Sequence, residues 1–155
     1  MTDYYLDASA LVKRYADEVG SAWTRQITDP LAQNTVLLAE ITLAEVAAAL
    51  AAQHRAPGGI TQEQRNRALS RFLQDCDEHF LLLPVDRPVI DRAVELTQSH
   101  PLRGYDAVQL ATALVTNEIL QAQNLPSLVF VAADDDLLTA AEAEQFPVDN
   151  PLRHP

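Results

Sequence analysis

Short apolar runs, each closed by an acid or a turn residue, alternate along this chain with longer stretches of helical period. The runs predict strands over residues 4–6, 35–38, 80–85 and 128–132, with a short last one near 146–148. The longer stretches predict helices over 9–16, 21–28, 40–54, 62–78, 88–98, 105–121 and 137–144. Strands and helices in this order imply an α/β fold on a mainly parallel sheet of four to five strands. "HRAPGGIT", residues 54–61, is the one pronounced breaker and reads as a loop between helices. The 155 residues therefore read as a single domain, 1–155.

In an open parallel sheet the ligand site lies outside the carboxyl ends of the strands, so the residue after each strand matters most. After the first run comes Asp7, and after the fourth comes "DDD", Asp134 to Asp136. Two more acids fall inside unusually apolar helices. Glu45 in "ITLAEVAAALAA" shares a helical face with Ile41, Ala48, Ala49 and Ala52, and Asp106 in "LRGYDAVQLATAL" lies beside Leu102, Gln109, Leu110 and Ala113. A carboxylate buried without a partner would protonate, so such settings call for a cation.

Each acid also has a plainer explanation. Glu45 could sit on a sparsely covered edge, and Asp106 in a first turn complements the helix dipole. Asp7 could start the helix that follows it, although Ser9 is the better-placed cap. Capping accounts for one of the three aspartates at 134–136 but does not require all three. Jointly the four acids make a stronger case, because two stand on the same sheet rim and two lie on helices that must pack against that sheet. Four like charges brought close together would repel unless a cation joined them. With oxygen ligands only, that cation is Mg²⁺ or Mn²⁺ and not zinc.

Composition narrows the chemistry. Eleven basic against 22 acidic residues give a net charge of −11, which argues against patch-driven binding to nucleic acid. Ten of the eleven cations are Arg and only Lys13 is Lys. The four histidines lack metal-ligand spacing, the four glycines form no phosphate-binding loop, and no serine has a nucleophile-elbow context. A single cysteine, Cys76, excludes an internal disulfide. The acidic N-terminus and the lack of any apolar run near 18 residues suggest a cytoplasmic protein with no membrane contact. What remains is metal-assisted hydrolysis, whose natural substrate is a phosphodiester.

The segments that carry these acids resemble the PIN-domain nucleases, and among them the VapC-type toxins of bacterial toxin–antitoxin pairs. "YLDASALVKRY" is similar to the family's opening strand with its first acid, Asp7, and nearby hydroxyl, Ser9. "ITLAEVAAAL" resembles the segment of the second acid, Glu45, and "LRGYDAVQLATAL" that of the third, Asp106. "FVAADDDLLTAAEAEQFPVDNP" resembles the closing segment, where Asp134 followed by Leu137 fits the fourth acid and Asp135 or Asp136 are the other registers. The likeness runs from about Asp3 to Pro151. Ala133 stands where the family often has a hydroxyl, and Gln145 where it commonly has Gly.

The resemblance implies a three-layer α/β/α fold and a Mg²⁺- or Mn²⁺-dependent endoribonuclease acting on an RNA substrate. It also implies a homodimer and an antitoxin through which DNA is reached. In that setting Asp7, Glu45, Asp106 and Asp134 are both metal ligands and catalytic residues. Ser9 would cap the helix or orient the ligands, and Lys13, Arg14 and Arg103 are candidate RNA contacts or, equally, members of surface ion pairs. Arg65, Arg67 and Arg71 form another helical group, either a partner face or a solvated one. Two other readings stay open. A receiver-like phospho-acceptor would also place acids at strand ends, though it would want a late lysine, and a catalytically silent interaction protein would keep the fold without turnover.

Overall fold

The computed structural model describes residues 1–155. Strand β1 (Asp3–Leu6) leads into α1 (Ala8–Tyr15) and α2 (Ser21–Thr28); β2 (Thr35–Ala39) leads into α3 (Ile41–Arg55) and α4 (Gln62–Glu78). Then follow β3 (Leu81–Leu83), α5 (Arg87–Ser99), α6 (Gly104–Ala122), β4 (Val129–Val131), α7 (Asp135–Ala143) and β5 (Val148–Asp149). The five strands form one sheet in the order β3-β2-β1-β4-β5, every pairing parallel. All carboxyl ends therefore share one rim. The chain builds outward from β1 through β2 to β3 and then returns to β1's other side with β4, which makes the β1–β4 boundary a topological switch point.

Side-chain alternation divides the core between two faces. Tyr5, Leu37, Ala39 and Phe130 pack with α5, α6 and α7. Leu6, Val36, Leu38 and Val131 pack with α1, α3 and α4. The three layers expected from the family resemblance are therefore present. Every buried side-chain nitrogen and oxygen has a hydrogen-bond partner. Cys76 is buried, and its burial pushes the thiol up to about 11. No helix is long and apolar enough to cross a membrane.

Every predicted strand and helix is present, with shifts at the ends that have local causes. The third strand is shorter than the apolar run 80–85, because Phe80 donates its amide to Asp75 at the end of α4 and Pro84 cannot continue the ladder. The last strand starts later than predicted, because the Phe146 amide is used by the Ala141 carbonyl to close α7. In that closure Gln145 takes φ +66°, the left-handed conformation that usually calls for glycine. Thr61 and Gln64 form a reciprocal capping box at α4, and the predicted loop is present but shorter, over residues 56–61, because α3 runs on through His54 and Arg55.

The tail packs back on the body of the protein. Trp23 on α2 stacks on His154 with ring centroids 4.3 Å apart, and His154 Nε2 lies 2.8 Å from Asp149 Oδ1. Gly20, at φ +88°, passes so close to Pro151 that a Cβ there would meet its carbonyl oxygen at 2.6 Å. Only glycine fits.

Candidate active site on the carboxyl rim

Asp7 follows β1 directly, and its backbone amide still donates to Val131 of β4, so it sits at the switch point. Its carboxylate caps α1 by accepting from the Ala10 amide at 3.3 Å, a role the sequence favoured for Ser9. Ser9 does something else. Its hydroxyl donates to Asp7 Oδ1 at 2.7 Å and accepts from the Ala133 amide at 2.9 Å, which ties the ends of β1 and β4 together across the rim. A backbone amide at position 133 is therefore enough to engage Ser9 without a hydroxyl there.

Glu45 lies one turn into α3. The face chosen for it from periodicity is not the buried one: Thr42, Val46 and Leu50 are buried, whereas Ala48 and Ala52 are exposed. α6 shields Glu45 instead, and Gln109 Nε2 donates to its Oε1 at 2.8 Å. Asp106, in the first turn of α6, has a side chain 20% exposed and faces Arg103 Nε at 3.4 Å. Asp134 caps α7 by accepting from the amides of Asp136 and Leu137. Asp135 accepts from Asn150 at 3.4 Å, and Asp136 is exposed to solvent.

The electrostatics link the four acids into a row. Burial pushes the Asp7 carboxyl up to about 7, against the pull of Ser9 and the Ala10 amide, and the Glu45 charge adds to the rise. Burial raises Glu45 too; Gln109 opposes this and Asp106 reinforces it. Asp106 is raised by burial and by Asp134, with Arg103 opposing. Each acid thus feels the next along the rim, and Asp134, of the three consecutive aspartates, is the one that acts on Asp106. No three acid, His or Cys side chains converge closely enough to surround one ion, so the acids form a row and not a closed cage. Their chemistry nonetheless fits a hard divalent cation, since all donors are carboxylate oxygens and Arg103 is the only opposing charge.

The cations named from sequence divide. Arg103 is 86% exposed at the rim and, with Tyr105 and Val108, lines a recess of about 620 Å³ beside Glu45 and Asp106. Lys13 lies nearly two turns further along α1; it is buried and paired with Glu18 at 2.9 Å. Arg14 is held by Asp75 and Thr28. Arg67 and Arg71 line a separate cleft of about 1040 Å³ between α1 and the α3–α4 hairpin, where Arg14 and Arg25 face Asp17, Glu18 and Asp29. Arg65 instead turns to Asn66.

The PIN domain family matches residues 4–143. The chain belongs to the PIN-domain family. A curated relative of this PIN domain is Ribonuclease VapC45 of Mycobacterium tuberculosis, 32% identical over 142 residues, with 90% of this chain and 89% of the relative covered. Among solved structures, FitAB bound to an IR36 DNA fragment superposes with TM-score 0.64 at 20% identity, covering 96% of this chain and 95% of that one. A toxin–antitoxin complex from Klebsiella pneumoniae superposes with TM-score 0.55 at 21% identity, covering 96% and 97%. These superpositions bear out the three-layer parallel-sheet fold.

Sequence reasoning named Ser9, which holds Asp7, but passed over the groups that hold Glu45. Gln109 was visible only as a neighbour of Asp106, although an amide inside the apolar "VQLATAL" was itself a signal. Tyr5 and Thr42 gave none, since both residue types suit the elements they occupy.

Proposed function

We propose that this PIN domain is a divalent-metal-dependent endoribonuclease and the toxin half of a toxin–antitoxin pair. The observation that carries the reading is the row of four carboxylates on the rim, in which Asp7, Glu45 and Asp106 are each raised by burial and by a neighbouring acid, with a single exposed arginine as the only cation. The ribonuclease name of the curated relative supports it, and the toxin–antitoxin complex among the structural neighbours supports an antitoxin as partner. A homodimer belongs to the same reading.

Asp7, Glu45, Asp106 and Asp134 would hold Mg²⁺ or Mn²⁺, which when bound activates water and offsets charge on a phosphoryl oxygen. The chain's own residues do the rest. Ser9 and the Ala10 amide fix the Asp7 carboxylate, so that it need not reorganise when substrate arrives. Asp106 lines the recess, and one of its Oδ atoms would take the proton of the attacking water. Arg103 stands at the edge of the same recess, where a phosphate oxygen would meet a bidentate donor. A polyanion is thus admitted locally although the protein as a whole carries −11.

Total RNA incubated with purified protein and Mg²⁺, alongside Asp7→Asn, tests this, with the new ends sequenced. New ends should form with the wild type and vanish with EDTA or with the substitution. Equal cutting in all three reactions would refute the metal site.

A further inference from the structure

Glu45 reaches the rim on a polar connection that begins inside the sheet. The Tyr5 hydroxyl donates to Gln109 Oε1 at 2.6 Å, and Gln109 Nε2 donates to Thr42 Oγ1 at 2.9 Å and to Glu45 Oε1 at 2.8 Å. Tyr5 and Thr42 are fully buried, and Gln109 is 1% exposed. Three elements, β1, α3 and α6, are joined by these bonds. The direction of each is fixed by chemistry: a carboxylate only accepts, so the amide must present its NH₂ to Glu45, and its carbonyl then faces Tyr5 and needs a donor.

Core packing does not account for this arrangement. Gln109 lies beside Leu110 and Ala113 among fully buried apolar residues, where a leucine would need no partners at all. Reversing its amide would set oxygen against oxygen at Glu45 and leave the buried Tyr5 O–H without the acceptor it now has. The Tyr5 hydroxyl therefore acts at a distance, by keeping the amide from turning.

We propose that Tyr5 and Gln109 are positioning residues of the rim site, which lock the Glu45 carboxylate in the orientation that receives the divalent ion. This rests on the nuclease reading above and adds to it a requirement reaching into the core. Partners of metal-binding carboxylates are worth roughly 10–100-fold in metal affinity.

The test is Mn²⁺ titration of the full chain by calorimetry, with thermal melts and with kcat and KM for RNA cleavage measured in parallel. Tyr5→Phe removes one oxygen from a packed ring and should leave the protein folded, yet weaken Mn²⁺ binding by about 10-fold. Gln109→Leu should weaken it by up to about 100-fold. In both, kcat should fall while KM for RNA stays near wild type. A merely structural role would move the melting temperature and leave the Mn²⁺ affinity of the folded protein alone. If the wild type binds Mn²⁺ and cuts RNA, and both variants bind within twofold of it, the positioning role is overturned and the nuclease stands. If the wild type neither binds Mn²⁺ nor cuts RNA, the nuclease reading is overturned and the positioning role falls with it.

Discussion

Two aspartates in this protein are equally hidden from solvent, Asp7 at 4% and Asp75 at 2% exposure, and they have opposite surroundings. Burial pushes upward on both. At Asp75 the Tyr15 hydroxyl at 2.7 Å, Arg14 Nε at 3.1 Å and Arg71 Nε at 3.5 Å outweigh it, and the carboxyl stays below its ordinary value. At Asp7 a serine hydroxyl and one backbone amide are the only donors, the nearest charge is another acid, and the carboxyl rises to about 7. The same chain thus supplies cations to one buried carboxylate and leaves the other without any. Asp75 is a structural ion pair, complete in itself. In the proposed function, Asp7 belongs to a site that is completed by a positive charge from outside.

The contrast can be broken from either side. The largest effect should come from Asp7→Asn or Asp106→Asn, each lowering RNA cleavage by about 10²–10⁴-fold, as measured on the fragment ends that the wild type makes. Next is the structural pair. Arg14→Ala leaves Asp75 buried with the Tyr15 hydroxyl and, as its only cation, the exposed Arg71, and urea unfolding should show a loss of about 3–5 kcal/mol.

The same Asp7→Asn variant should gain stability without metal, because its amide oxygen can still accept from Ser9 and Ala10 but never ionises. A carboxyl raised in the folded state contributes stability that is full below its unfolded value near 4 and lost as pH rises through about 7. The variant should therefore exceed the metal-free wild type by about 2–4 kcal/mol at pH 8, with about a third of the gap left at pH 5 and the gap closed only below about pH 4. Saturating Mn²⁺ should reverse the order. Asp75 has the opposite sign: its carboxyl is lowered in the fold, so its contribution is present above about pH 4 and lost as pH falls further. Acid unfolding curves of wild type and Arg14→Ala should converge there.

The smallest effect serves as a control remote from both aspartates. Gln145→Gly relieves a left-handed residue at the end of α7 and should add about 0.5–1 kcal/mol at every pH. A pH-dependent change in that variant would show that the comparison above is contaminated by global effects.

Much of this was legible beforehand. Apolar runs and helical periods located all five strands and seven helices, because each run is buried by its own layer and the punctuating residues, Thr61, Asp86 and Pro88 among them, act locally. The acids at strand ends were legible for the same reason, since a parallel sheet fixes where its carboxyl ends lie. What local pattern could not show was which partner each polar group meets. Asp75 drew no reading from the sequence, because its partner Arg14 lies 61 residues away in the chain. Glu45 owes its burial to α6 and not to its own helical face; Ser9 was read as a cap or as a group that orients the ligands, and the fold uses it on Asp7 and on the Ala133 amide, while Lys13, a candidate substrate contact, pairs with Glu18.

The stacked pair at the tail carries a practical consequence. Trp23 is the sole tryptophan, and it leans on His154, which bonds Asp149; the neighbouring Asn150 bonds Asp135, one residue from the fourth acid of the rim. Its emission is therefore a native optical gauge of the closing segment. Loosening around residues 134–136 that frees the imidazole will change the light from one known ring, with no label attached.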